Sequence, residues 1–144
     1  QEQAASQGVD LWKQEPDRCC ALRKVDPMRR VLNGYSAWIT GLRRDQSAER
    51  SATRAIEWDA KFDLVKLSPL VDWSRDRVHS YLQDNQVPYN PLLEQGYGSV
   101  GCKPCTDPVD GAERAGRWTD SEKTECGLHN DVVPLAKGSS RSQR

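Results

Sequence analysis

Apolar residues come in short bursts along this chain, each bounded by proline, glycine or charge, and the bursts predict a set of short elements. Val9, Leu11 and Trp12 follow a polar opening and read as an anchor. Pro16-Asp17 reads as a helix start, with Asp17 as the N-cap that satisfies free backbone donors. That helix is expected to pass through Arg18, Cys19, Cys20, Leu22 and Lys24 and to be interrupted by Pro27. It resumes from Met28 to Leu32 and stops at Asn33-Gly34. Ser36-Ala37-Trp38-Ile39-Thr40 reads as a buried strand, and Ile56-Glu57-Trp58 and Leu64-Val65-Lys66-Leu67 as two more, the last closed by Pro69. Ser74 caps a predicted helix over residues 75–85, whose Val78, Tyr81 and Leu82 share one face and are expected in the core. Val87-Pro88-Tyr89-Asn90-Pro91 cannot be regular helix throughout. From Thr106 the chain turns polar, and residues 130–144 are expected to be a disordered tail.

Short strands alternating with helices indicate an α/β chain, and 144 residues are enough for one domain and too few for two ordinary ones. The core is thin: 36% of residues are hydrophobic, 29% are charged, and the mean hydropathy is −0.82. Basic and acidic residues balance at 21 each, which argues against a nucleic-acid or anionic-membrane partner. No apolar run approaches a membrane span, and no secretory signal is visible. The chain opens on Gln1 without the start of a fold, so an N-terminal portion is expected upstream.

Composition alone does not explain the cysteines. There are five, an odd number that suits a secreted disulfide framework poorly, and only two histidines accompany them. Four form tight pairs, Cys19-Cys20 and Cys102-Lys103-Pro104-Cys105, and the fifth, Cys126, lies alone in a polar stretch. Two pairs suggest a four-thiolate site, which zinc and iron–sulfur clusters both accept. Adjacent helical side chains diverge by about 100°, so the Cys19-Cys20 doublet favours a bulky cluster over one compact ion. Buried cysteines without metal are the plain alternative. Arg43, Arg44, Arg50 and Arg54 crowd the loop after the first strand, where α/β proteins bind ligands. They make either a solvated charged loop or an anion clamp, since the guanidinium fork suits sulfate and phosphate oxygens.

The motifs as a set resemble the bacterial assimilatory adenylyl-sulfate reductases. They are Cys19-Cys20-x-x-Arg23-Lys24-Val25-x-Pro27, the run from Gly34 through Trp38-Ile39-Thr40-Gly41-Leu42-Arg43-Arg44-Asp45-Gln46-Ser47, and Val65-Lys66-Leu67-x-Pro69-Leu70-x-Asp72-Trp73-Ser74. Asn90-Pro91-Leu92, Gly101-Cys102-x-Pro104-Cys105-Thr106, Arg114-x-Gly116-Arg117-Trp118 and Glu125-Cys126-Gly127-Leu128-His129 complete it, so the likeness runs from about Leu11 to His129.

The resemblance implies an adenine-nucleotide α-hydrolase-like, PAPS reductase-like sheet with flanking helices, here without its N-terminal phosphate-loop part. Residues 1–129 are then the C-terminal part of one reductase domain. It implies that Cys126 attacks adenosine 5′-phosphosulfate, forms a thiosulfonate and expels AMP, and that thioredoxin or a similar dithiol releases sulfite in the cytoplasm. Cys19, Cys20, Cys102 and Cys105 hold a 4Fe-4S cluster in that family. Lys24, Arg50, Arg114 and Arg117 match its cations toward the anionic substrate, and His129 is grouped with them as a substrate-binding residue that helps order or activate the tail, a solvated terminal histidine being the alternative. A homo-oligomer is left open. The paired cysteines favour adenylyl sulfate over 3′-phosphoadenylyl sulfate, with dual use as an alternative. An inactive fragment and a structural zinc-binding module are the other readings. Departures are few: Gly98 stands where the family usually has proline, His79 replaces an aromatic, Arg77 replaces an acid, and the stretch from Arg117 to Cys126 is short.

Overall fold

The computed structural model describes residues 2–129 and 132–133. Short helices α1 (Glu2–Gln7) and α2 (Leu11–Gln14) lead into α3 (Pro16–Cys20), a π-helical turn (Ala21–Val25) and α4 (Asp26–Leu32). Proline takes the first position of α3, so Glu15 is its N-cap and Asp17 lies in the first turn, where its charge faces the positive helix end. The break expected at Pro27 is taken up one turn earlier. The Asp26 N–H reaches back to the Ala21 carbonyl, and the wide turn carries the chain past the proline without ending the helix. Gly34, at φ 90°, then turns the chain into the sheet.

Strands β1 (Ala37–Ile39), β2 (Ile56–Asp59), β3 (Leu64–Leu67) and β4 (Val132–Val133) form a sheet in the order β1-β3-β2-β4. β1 runs parallel to β3, and β2 is antiparallel to both β3 and β4. The three predicted strands therefore form, but the expectation that the first is buried is corrected: only Trp38 of β1 is buried, because its neighbours Ala37 and Ile39 point to the uncovered face. The tail expected to be disordered contributes β4, and residues 130, 131 and 134–144 lie outside the described ones.

Register sorts the side chains onto two faces. Trp38, Lys66 and Glu57 lie side by side on the buried face, and Ile39, Leu67 and Ile56 lie side by side on the outer one. α4 covers the buried face, where Leu32, Trp38 and Leu64 cluster with Met28 and Phe62. Each such apolar side chain contributes about 1.5–3 kcal/mol by leaving water.

α5 (Arg75–Asp84) begins at Ser74, whose hydroxyl accepts the Arg77 N–H at 3.1 Å. Its expected core stripe is corrected. No residue of α5 is buried, Tyr81 is half exposed, and Val78 and Leu82 line only a shallow hollow with Arg43 and Tyr89. Among the described residues, no helix is long and apolar enough to cross a membrane.

Candidate active site

The C-terminal end of α3 carries Cys19 and Cys20, and a single helical turn after Cys102 carries Cys105. All four line one cavity of about 340 Å³, walled by Leu11, Trp12, Pro16 and Pro104 and by the cations Arg23 and Lys24. Burial raises the Cys20 and Cys105 thiols above the ordinary value, against the opposing pull of Lys24. Gln3 donates to the Cys19 sulfur at 3.5 Å. Among the described residues, no three Cys, His, Asp or Glu side chains converge tightly enough to hold a single ion. Four thiols around a roomy hollow, with cations in its wall, suit a bulky anionic group held from several corners.

Cys126 is buried on the same side. It packs with Cys20 and Trp118, and Cys105 and Leu128 lie against the three. Trp118, at φ 53°, is in the left-handed region, a strain of about 1–3 kcal/mol for a non-glycine residue. The surroundings that hold it there include three cations about its ring: Arg117 at 4.3 Å, Arg114 at 5.7 Å and Lys123 at 5.7 Å. Gly101 leaves room for the Arg117 guanidinium, which a Cβ there would meet at 2.2 Å and push aside. Arg117 also donates to the Cys105 carbonyl at 3.4 Å.

Arg50 and Arg114 meet at Glu125, the residue before Cys126. Arg50 donates through Nε at 2.9 Å and Nη2 at 2.7 Å to Oε2, and Arg114 Nη2 donates to Oε1 at 3.2 Å. The Cys126 N–H also donates to Oε1, at 3.0 Å. Burial opposes the charge on Glu125, but the Cys126 N–H and the two guanidiniums together hold its carboxyl below the usual range. The rest of the basic loop is pinned elsewhere: Arg43 by Asp45 and Glu113, and Arg44 by Asp72 and the Thr53 carbonyl. Arg54 is exposed, and its backbone N–H donates to Glu57 at 3.1 Å. Of the four arginines, Arg50 alone is buried beside Glu125, so the anion-clamp reading rests on it.

His129 stacks on Trp38, with ring centroids 5.7 Å apart and planes within 6°. Burial, then the Lys66 and Arg50 cations, push it down to about 3, so it is neutral at pH 7. Its Nδ1 has no hydrogen-bond partner among the described residues. The ring is packed against Trp38 and is not a solvated side chain. Lys61 donates to the Gly127 carbonyl, and Trp38 Nε1 donates to Asp59 at 3.2 Å.

Sequence reasoning missed Glu125, which it quoted in a motif without a role. It also missed Lys123, Lys66 and Trp38, whose importance lies in contacts between distant segments. The lone signal was buried charge within a strand pattern at Lys66.

Residues 1–108 match the family described as "Phosphoadenosine phosphosulfate reductase domain". The chain is 50% identical over 131 residues to an adenosine 5′-phosphosulfate reductase of Salinibacter ruber, covering 89% of this chain and 52% of that protein. It is 50% identical over 131 residues to adenosine 5′-phosphosulfate reductase 1 of Bacillus subtilis, covering 90% and 56%. The chain thus spans about half the length of these curated relatives. A phosphate complex of phosphoadenylyl-sulfate reductase from Candida auris superposes with a TM-score of 0.62 at 34% identity, over 74% of this chain and 50% of that one. An FMN adenylyltransferase of Candida glabrata shares the fold at 21% identity, with a TM-score of 0.52, over 77% of this chain and 50% of that one.

Proposed function

The chain belongs to the phosphoadenosine phosphosulfate reductase domain family, and we propose that it reduces adenosine 5′-phosphosulfate to sulfite and AMP through Cys126. The observation that carries this reading is a buried cysteine set between a four-thiol cavity and an arginine pair. The Cys126 thiolate attacks the sulfur of the phosphosulfate. A sulfur–sulfur bond forms, the sulfur–oxygen bond to AMP breaks, and its electron pair leaves on the AMP phosphate. Arg50 and Arg114 stabilise that developing charge, and Arg117 and Lys24 supply further positive charge on the thiol side. A dithiol of the thioredoxin kind then gives two electrons to the thiosulfonate, releasing sulfite and restoring the Cys126 thiol in the cytoplasm. His129, neutral and stacked on Trp38, keeps the tail seated.

Cys19, Cys20, Cys102 and Cys105 are the residues that would hold a 4Fe-4S cluster. When bound, it anchors the α3 end to the 102–105 turn and sets a negative charge beside the substrate's cations. The relatives' names support adenylyl sulfate as the substrate.

The test uses the complete polypeptide purified anaerobically. Sulfite release from adenosine 5′-phosphosulfate with thioredoxin is expected, together with about four iron and four sulfide per chain. Cys126→Ser should abolish sulfite release and keep the iron. A serine variant that still turns over would refute Cys126 as nucleophile, and one zinc without sulfide would replace the cluster.

A further inference from the structure

Glu125 sits where the proposed function puts a substrate anion. Its two oxygens take four donors: both prongs of Arg50, one nitrogen of Arg114 and the Cys126 N–H. That is the donor set of an oxyanion site, a guanidinium fork plus a backbone N–H. The charges do not balance within the group, since two guanidiniums share one carboxylate. The side chains of Arg50, Arg114 and Glu125 are 10%, 11% and 10% exposed, so the excess positive charge lies largely out of water. The buried Arg114 Nε has no partner among the described residues. A site built only to hold the tail would be satisfied by one arginine. Two guanidiniums match one doubly charged oxyanion better than they match one carboxylate.

Access is present too. Glu125 borders an open hollow of about 430 Å³ that Lys123 and Thr124 line together with the carboxylates Asp17 and Glu122. Arg50 and Arg114 do not line it, and it gives the Glu125 carboxylate open space to swing into. Downstream, the tail has its own anchors in the Lys61 donation to the Gly127 carbonyl, the His129–Trp38 stack and the pairing of β4 with β2. Glu125 can therefore leave the arginines while residues 127–129 stay docked.

We propose that Glu125 is a resident anion that holds the Arg50–Arg114 pair until an incoming sulfate- or phosphate-type oxyanion displaces it, delivering that oxyanion against Cys126. The proposal rests on the reading of Arg50 and Arg114 as substrate cations. It makes Glu125 a positioning residue that sets anion affinity through competition. It also explains why the carboxylate lies directly before the nucleophile: the vacated donors include the Cys126 N–H itself.

The experiment measures inorganic sulfate binding to the complete polypeptide by calorimetry, in wild type, Glu125→Gln and Arg50→Met. Glu125→Gln should bind sulfate on the order of tenfold more tightly, and Arg50→Met should lose most of the binding. Equal or weaker binding by Glu125→Gln, with loss in Arg50→Met, would overturn the exchange while leaving the arginines as an anion site. Unchanged binding in Arg50→Met would overturn both the exchange and the substrate role of Arg50. If Glu125→Gln unfolds, sulfate should restore its structure by circular dichroism, as a replacement for the missing anion, and failure to restore it counts against the proposal.

Discussion

The two faces of the sheet follow opposite rules. The covered face carries Lys66, Glu57 and Asp59 beside Trp38 and Leu64, with Lys66 1% and Asp59 0% exposed. The outer face leaves Ile39 71% and Ile56 53% exposed, with Val65, Leu67 and Trp58 only half-buried between them. A sheet with one wet face ordinarily alternates apolar-in and polar-out. Here hydrophobic gain cannot explain why the inner face is polar. Lys66 lies 4.0 Å from Glu57, Asp59 accepts from Trp38 and from the Lys61 and Phe62 N–H groups, and His129 lies over the Trp38 ring. The lesson is that the inner face is organised to hold residues 127–129 and the outer face is not spent on this chain's own core.

The comparison breaks most sharply at Lys66. Burial lowers its ammonium from the ordinary value, with Glu57 and Asp59 opposing, and burial raises Asp59. Lys66→Met strands those two carboxylates and should cost about 3–5 kcal/mol, read as a lower urea midpoint. A loss under about 1 kcal/mol would mean that the buried charges do not depend on one another. Trp38→Phe retains most of the buried ring but removes the donor to Asp59. It should cost about 1–3 kcal/mol by the same assay, and a neutral result would remove that hydrogen bond from the account.

His129 sharpens the comparison through pH. Its folded value lies below its free value, at about 3 against 6.5. Protonation therefore favours the released tail, and docking strength is complete above the free value and declines as pH falls toward the folded one. From pH 7 to 5.5 the loss should be about 1.3 kcal/mol, seen as roughly tenfold lower amide protection factors at residues 125–129 once the intrinsic pH dependence of exchange is divided out. His129→Gln should show no such pH dependence, and a wild type equally flat would refute the buried neutral ring. The smallest effect is expected on the outer face. Ile39→Lys or Ile56→Lys should change stability by no more than about 0.5 kcal/mol. A loss above about 1.5 kcal/mol would mean that another surface covers this face in solution, and sedimentation would tell whether it is a second copy.

Much of the frame was legible in advance because local chemistry decides it. Ser74 caps α5 as expected, the three apolar bursts became β1, β2 and β3, and Gly34 turns the chain after α4. Some expectations from local pattern do not hold in the fold, and the Asp17 N-cap is one, since Glu15 takes that position. The 3.6-residue spacing of Val78, Tyr81 and Leu82 reports a shared face, but nothing in the spacing says what lies opposite, and that face is largely open. Pro27 was expected to interrupt its helix, and the π-helical turn upstream takes up the break instead.

The sequence by itself determined the elements, the odd cysteine count and the motifs, since these depend on residue type and spacing along the chain. Only the tertiary structure decided which charges meet. Arg50 and Glu125 stand 75 residues apart, as do no neighbours that a periodicity can pair, and yet they share hydrogen bonds of 2.7 and 2.9 Å. Arg43 and Arg44, identical in type and adjacent in sequence, were drawn to Glu113 and Asp72. A charged side chain's partner is set by what folding brings within a few ångströms of it under partial burial, where Coulomb attraction is strong enough to choose.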